Sequence, residues 1–297
     1  MSNSRRSVLG ALACLPALAL PGTIAAANAA TVRSFNPRAL RRALDRLEAR
    51  SGGRLGFALL DTGTGAQLER RGDERFPMCS TFKLMLVAAT LQRIDRAQER
   101  PERRITITRA ELVSYSPFTE TRAGTEVELH ELCNAAMTLS DNSAANALLK
   151  PLGGPAGVTA FARSLGDEVT RLDRNETELN SAIPGDPRDT TSPLAMLGNL
   201  RTLLLGTALS DASRRQLLDW MRDNTTGDSR LRAGLPKDWK VGDKTGSGGH
   251  GTTNDIAIAW PPGGAPWLVA SYLTGSRLES AERDAVHASV ARALSRT

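Results

Sequence analysis

Leu84, Leu86, Val87, Leu91 and Ile94 recur at helical spacing and predict a helix over residues 80–96, with Ser80 and Lys83 on one face. An earlier helix is predicted over 37–50, with Asn36 as N-cap and Pro37 in the first turn. Others follow over 129–139, 143–149, 157–164, 192–205, 211–222 and 279–294. Strand patterns run over 54–60, 66–70, 240–245, 253–260 and 267–274, and the stretch from Asp61 to Gly65 turns the first into the second. Residues 167–190, with Pro184 and Pro187, are polar and have no period; such a loop inside a compact domain is usually functional.

The order is helix, two strands, many helices, three strands, helix. It predicts an α+β fold of the α/β-sandwich kind: a five-stranded antiparallel sheet flanked by helices, with an all-α lobe inserted between its two halves. The α/β lobe takes residues 30–71 and 223–297, and the all-α lobe 72–222. A cleft between them is the natural place for a site.

A chain of 297 residues with 40% hydrophobic content can bury a substantial core. Its formal charge is +6, yet acids and bases are interspersed and only 4% of residues are aromatic. That balance describes a mixed solvated surface, not a basic stacking surface for nucleic acid. Arg5-Arg6 followed by an apolar stretch from Val8 to about Leu20, then small residues and Ala27-Asn28-Ala29, reads as a bacterial export signal of the twin-arginine type over residues 1–29. The apolar stretch is too short for a stable membrane span. Loss of residues 1–29 removes Arg5 and Arg6 and lowers the formal charge from +6 to +4. The mature chain is expected to be periplasmic, off the membrane and monomeric. Cys14 leaves with the signal, and Leu12 places it poorly for lipidation. Cys79 and Cys133 remain in a compartment that permits a bridge, and are read as two buried free thiols. His130, His250 and His287 are scattered without paired ligand spacing, so neither a metal nor another cofactor is expected.

Four stretches carry candidate chemistry. In Ser80-x-x-Lys83 an amine stands three residues from a hydroxyl, which it can activate by taking its proton. A helix start there also aims free N–H groups and the positive dipole end at developing negative charge. Ser140-Asp141-Asn142 lies between two predicted helices, where side chains can project into a cleft. Glu176-x-x-x-Asn180 lies in the long polar segment. Lys244-Thr245-Gly246-Ser247 lies on the third strand, where Lys244 brings positive charge and Gly246 allows close approach of a ligand. Singly, each has an ordinary reading: a helix surface, a cap, a solvated acid, an exposed strand lysine. Their joint occurrence in this order does not.

Together these motifs resemble those of the class A serine β-lactamases. Arg174-x-Glu176, Asp186-Pro-Arg-Asp189-Thr-Thr and Thr225-Thr-Gly227 extend the resemblance over essentially the whole mature chain. It implies hydrolysis of β-lactam antibiotics through a serine acyl-enzyme. Ser80 would be the nucleophile, with the N–H groups of Ser80 and Ser247 as oxyanion hole. Lys83, or Glu176 through a water, would take the serine proton. Ser140, tuned by Lys244, would protonate the lactam nitrogen, and Glu176 with Asn180 would activate the deacylating water. Asn142 would bind the substrate's acylamino carbonyl, and Thr245, Ser247 and Arg230 its carboxylate. Arg230 stands in for the arginine that many relatives carry at the place of Thr253, its alternative being a surface arginine. Tyr115 matches an aromatic at the cleft mouth or is an ordinary loop tyrosine.

Some positions depart from the pattern. Thr177 follows Glu176 where proline, with a cis bond, is common, which puts the loop geometry there in question. Gly248 stands where carbapenem-hydrolysing relatives have the cysteine that pairs with the Cys79 position, and Val87 where a partner for Cys133 is frequent, so neither bridge is expected. Carbapenem hydrolysis is thus not implied, while Ser247 leaves an extended spectrum open. Two rival readings share Ser80-x-x-Lys83: a penicillin-binding DD-peptidase and a non-catalytic β-lactam-sensing module. Glu176 with Asn180 argues against both.

Overall fold

The computed structural model describes residues 35–295. The export signal, its cleavage site and Cys14 lie outside the described residues. In chain order the elements are α1 (Pro37–Ser51), β1 (Arg54–Asp61), β2 (Gln67–Arg70), β3 (Phe76–Pro77), α2 (Phe82–Asp95), β4 (Arg104–Thr106), β5 (Glu126–Glu128), α3 (Leu129–Thr138), α4 (Asn142–Leu149), α5 (Pro155–Ser164), β6 (Thr190–Thr191), α6 (Pro193–Leu204), α7 (Asp211–Arg222), α8 (Leu231–Gly234), β7 (Lys240–Gly248), β8 (Thr252–Trp260), β9 (Trp267–Thr274) and α9 (Ser280–Ser295). The expected α+β fold is present. Five antiparallel strands in the order β2-β1-β9-β8-β7 form one sheet from both ends of the chain.

Alternation along the strands feeds two cores. Leu55, Phe57 and Leu59 of β1, Val269 and Leu273 of β9, and Ala257 and Ala259 of β8 face one way, onto α1, α8 and α9. Ala58, Leu60, Leu268, Ala270, Tyr272, Ile256 and Ile258 face the other, onto the helices that hold the second core. Both faces are covered, so β1, β9 and the second half of β8 read as nearly continuous apolar runs. Asn36 accepts from the N–H groups of Arg38 and Ala39, each at 3.1 Å, and so caps α1 as its sequence predicts.

All residues from 82 to 91 are buried, which makes α2 the central helix of the second core. Its start differs from the expected one. Ser80 lies in a 3₁₀ turn, Cys79–Thr81, and the α-helix begins two residues later at Phe82. Cys79 has φ +45°, a left-handed value that no helix interior accepts, so the turn is set before the helix can propagate. Cys79 and Cys133 are buried free thiols, as expected. The pairs β3–β6 and β4–β5 are too short for any period to show in the sequence. Among the described residues no helix is long and apolar enough to cross a membrane.

Candidate active site

The S-x-x-K turn, the α3–α4 junction, the polar loop and β7 meet at a cleft of about 480 Å³. Ser80, Tyr115, Ser140, Asn142, Asn180, Arg230, Thr245 and Ser247 line it. Lys83, Glu176 and Lys244 stand behind that lining, buried. Every candidate catalytic or substrate-binding residue named from the sequence is therefore at the cleft or in the layer beneath it.

Ser80 Oγ lies 3.0 Å from Lys83 Nζ and 3.3 Å from Glu176 Oε1. Lys83 Nζ also pairs with Glu176 Oε1 at 2.9 Å and donates to Asn142 Oδ1 (2.7 Å) and the Ser140 carbonyl (2.8 Å). Burial pushes the Lys83 ammonium below its ordinary value, and the Glu176 carboxylate pulls the other way. An amine so poised, or a carboxylate in reach of the same hydroxyl, can take the serine proton.

The Ser140-Asp141-Asn142 turn is built around Asp141. Its carboxylate accepts from the N–H groups of Phe118, Thr119 and Ala144 and from the Thr119 hydroxyl. One buried acid thus caps α4 and anchors the loop that bears Tyr115. Tyr115 is 61% exposed at the cleft mouth, and its carbonyl accepts from Asn142 N–H at 3.0 Å. Ser140 has φ +59°. Its hydroxyl receives Lys244 Nζ at 3.0 Å, with Lys83 Nζ 3.4 Å away, so it can pass a proton between cleft and lysines.

Burial first, then the neighbouring Lys83 charge, lower Lys244 to about 7. The ammonium form, which donates to Ser140 and attracts an anion, is therefore lost as pH rises through about 7. We expect kcat/KM for a penicillin to fall along that limb, since this parameter reports free-enzyme groups. Lys244→Arg, whose guanidinium stays charged, should move the limb upward by about one pH unit or more. An unmoved limb would assign it to another group.

The polar loop is closed at its neck by Asp189, which is buried. Its carboxylate accepts from the N–H groups of Asp173 (2.7 Å) and Arg174 (2.9 Å) and from Arg174 Nε (2.6 Å). Inside the neck, the Asn146 amide clamps Glu176 from both sides. Asn146 Oδ1 accepts from Glu176 N–H and Nδ2 donates to the Glu176 carbonyl, each at 2.9 Å. Asn180 Nδ2 donates to Glu176 Oε2 at 2.5 Å. The Glu176–Thr177 bond is cis although no proline follows, which answers the question Thr177 raised.

On β7, the close approach at Gly246 is to the chain itself. A Cβ there would lie 2.7 Å from the Met78 carbonyl oxygen and 3.1 Å from Ser80 N, so the glycine admits the nucleophile turn before any ligand. Arg230 is not a surface arginine: it is 6% exposed. Its Nη2 donates to Ser247 Oγ at 2.7 Å, and its Nε pairs with Asp284 at 2.8 Å. Thr226, against the Thr245 hydroxyl, completes this end of the cleft.

Asn146 and Asp284 carry no signal in the sequence, since a mid-helix asparagine and a helix-surface aspartate are commonplace. His130 packs against Trp220 in a tilted arrangement with 5.0 Å between centroids. His287 is buried between the hydroxyls of Ser271 and Thr253, and burial lowers it to about 3. Among the described residues no group of three His, Cys, Asp or Glu side chains converges as metal ligands do.

The sequence model of the Beta-lactamase enzyme family matches residues 39–297. β-Lactamase Toho-1 of Escherichia coli is 48% identical over 289 residues, covering 97% of this chain and 96% of its own. β-Lactamase OXY-1 of Klebsiella oxytoca is 47% identical over 291 residues, covering 98% and 97%. Among solved structures, the class A β-lactamase of the last common ancestor of Gram-negative bacteria is 64% identical with a TM-score of 0.85, over 86% of this chain and 97% of that one. The putative class A β-lactamase PenP from Rhodopseudomonas palustris is 57% identical with a TM-score of 0.85, over 86% and 98%.

Proposed function

The chain belongs to the class A serine β-lactamases and hydrolyses β-lactam antibiotics, which confers resistance, and we propose the following division of that reaction among its residues. The observation that carries the proposal is the position of Ser80 Oγ, within 3.3 Å of both an amine and a carboxylate that burial shields from water.

Ser80 Oγ attacks the lactam carbonyl carbon, and its proton passes to Lys83 or, through a water, to Glu176. The N–H groups of Ser80 and Ser247 receive the oxyanion, fixed dipoles that need not reorganise as charge develops. The C–N bond breaks as the Ser140 hydroxyl protonates the lactam nitrogen, and the two lysines beside Ser140 restore its proton. Asn142 binds the acylamino carbonyl with the N–H that Ser114 leaves free. Thr245, Ser247 and Arg230 hold the carboxylate, and Tyr115 covers the mouth. In the second half, Glu176 takes a proton from a water held with Asn180, hydroxide attacks the ester, and the Ser80 oxygen leaves with a proton.

The same reading has the chain exported through the twin-arginine route, cleaved after Ala29 and released as a periplasmic monomer that takes a small-molecule substrate and no nucleic acid. It divides the chain into an α/β lobe of 30–71 with 223–297 and a lobe of 72–222 that is helical apart from the short pairs β3–β6 and β4–β5, a correction to the all-α expectation. One experiment tests site and export together. Protein recovered from the periplasm of an expressing bacterium is exposed to a penicillin, quenched in acid and digested with trypsin. The tryptic peptide 76–83 should carry the mass of the opened penicillin, and intact mass should show the chain beginning at Ala30. Label on another peptide would remove Ser80 from its role.

A further inference from the structure

The two N–H groups assigned to the oxyanion hole belong to different elements, Ser80 to the 3₁₀ turn and Ser247 to β7. Their separation depends on what holds the turn against the sheet. Gly246 permits the approach but does not cause it. Met78 O accepts from Thr81 N–H (3.2 Å) and the Thr81 hydroxyl (2.8 Å), bonds that shape the turn from within. Met78 N–H donates to Asp189 O at 2.9 Å and ties the turn to the polar loop.

Besides the Thr81 hydroxyl, which lies 3.4 Å from the Tyr272 hydroxyl on β9, the bonds that cross to the sheet come from Asn254. It stands opposite Gly246 in the β7–β8 register and is fully buried. Its Nδ2 donates to the Pro77 carbonyl at 2.8 Å and the Met78 carbonyl at 3.0 Å. Both partners are acceptors, so only the NH₂ end of the amide can face them. Asn254 Oδ1 has no partner, so the amide is not buried there for its own satisfaction. The backbone oxygen of the same residue accepts from Arg230 Nη1 at 2.7 Å, and that nitrogen also reaches Gly246 O at 2.8 Å.

We propose that Asn254 is a positioning residue: its side chain draws the Pro77–Met78 carbonyls onto the sheet and so sets the gap between the Ser80 and Ser247 amides, while its backbone fixes Arg230 relative to them. The proposal rests on the reading of Ser80 as nucleophile. Without the Asn254 amide the turn, strained at Cys79, has no side-chain tie from β8 and the hole opens.

The test compares Asn254→Ala and Asn254→Asp with the unaltered protein. Three quantities are read: affinity for a simple arylboronic acid, whose tetrahedral serine adduct puts an oxygen in the hole; kcat/KM for a penicillin; and Tm. Both variants should lose boronate affinity and kcat/KM together, by tenfold or more. Asn254→Asp, close in shape, should recover part of both as acid protonates its carboxyl and restores one donor. A lowered Tm with boronate affinity and kcat/KM within twofold of the unaltered protein would show a purely structural residue and overturn the proposal. Should Asn254→Ala not fold, the aspartate variant alone decides. Acylation of a residue other than Ser80 in the unaltered protein would instead fail the underlying reading.

Discussion

A Glu176→Gln enzyme should take up one penicillin per chain and then keep it. Glutamine retains the size of the side chain but cannot accept the proton of a water, and a positioned general base typically contributes about 10²–10⁴-fold. Deacylation should slow by at least that much. Acylation has a different sensitivity. Burial is the larger influence on Lys83, and Glu176 opposes it, so removing the carboxylate leaves burial unopposed and drives the Lys83 amine further toward its neutral form. If Lys83 accepts the serine proton, the burst of acylation persists at one equivalent. If the proton travels through water to Glu176, the burst itself slows by a comparable factor. Stopped-flow and quenched-flow measurement of burst and steady state separates the two routes. Turnover of the variant at the rate of the unaltered enzyme would take from Glu176 the role assigned to it. The same measurement separates a lactamase from a penicillin-binding peptidase, in which the acyl-enzyme is long-lived before any substitution.

The difference between what sequence and structure disclose follows from the range of each interaction. Strand and helix patterns depend on neighbours a few residues away, so the inner strands could be read nearly to their ends. The edge strand β7 reads short: it continues to Gly248 instead of stopping at 245. Its last residues are not apolar; they pair with β8 through Thr252 and face a polar cleft. The lining residues were legible because hydroxyl, amine, amide and carboxylate recur there in a fixed order. Their supports were not. Asn146 clamps Glu176 across 30 residues, Asn254 reaches Met78 across 176, and Asp284 pairs with Arg230 across 54. No local pattern distinguishes such a residue from any other asparagine or aspartate. Gly246 shows the same limit: its sequence context implied a close approach, and only the fold could say that the approaching group is the nucleophile's own turn.

Replacing Ser80 by alanine should abolish turnover without disturbing the site that binds substrate. Ser80 is partly exposed, and its loss leaves Lys83 with Glu176, Asn142 and the Ser140 carbonyl as partners, so no buried charge is stranded. Tm should therefore stay within about one or two degrees of the unaltered protein, the shift of a change well under 1 kcal/mol. kcat/KM should fall on the order of 10⁴–10⁶-fold, the span found when a serine hydrolase loses its nucleophile or the partner that orients its base. The carboxylate and acylamino contacts remain, so the variant should still bind a penicillin reversibly, with no mass added to the peptide 76–83. That combination distinguishes loss of the nucleophile from collapse of the cleft, which would remove binding as well. Retention of turnover above about one part in 10³ would be too much for the remaining oxyanion donors and substrate contacts to supply after loss of the nucleophile. It would require a nucleophile other than Ser80, and a water activated directly by Glu176 would be the first to test, because its carboxylate already lies 3.3 Å from the place the serine oxygen leaves. Glu176→Gln combined with Ser80→Ala decides that case: loss of the residual rate identifies the carboxylate, and its persistence places the reaction outside this cleft.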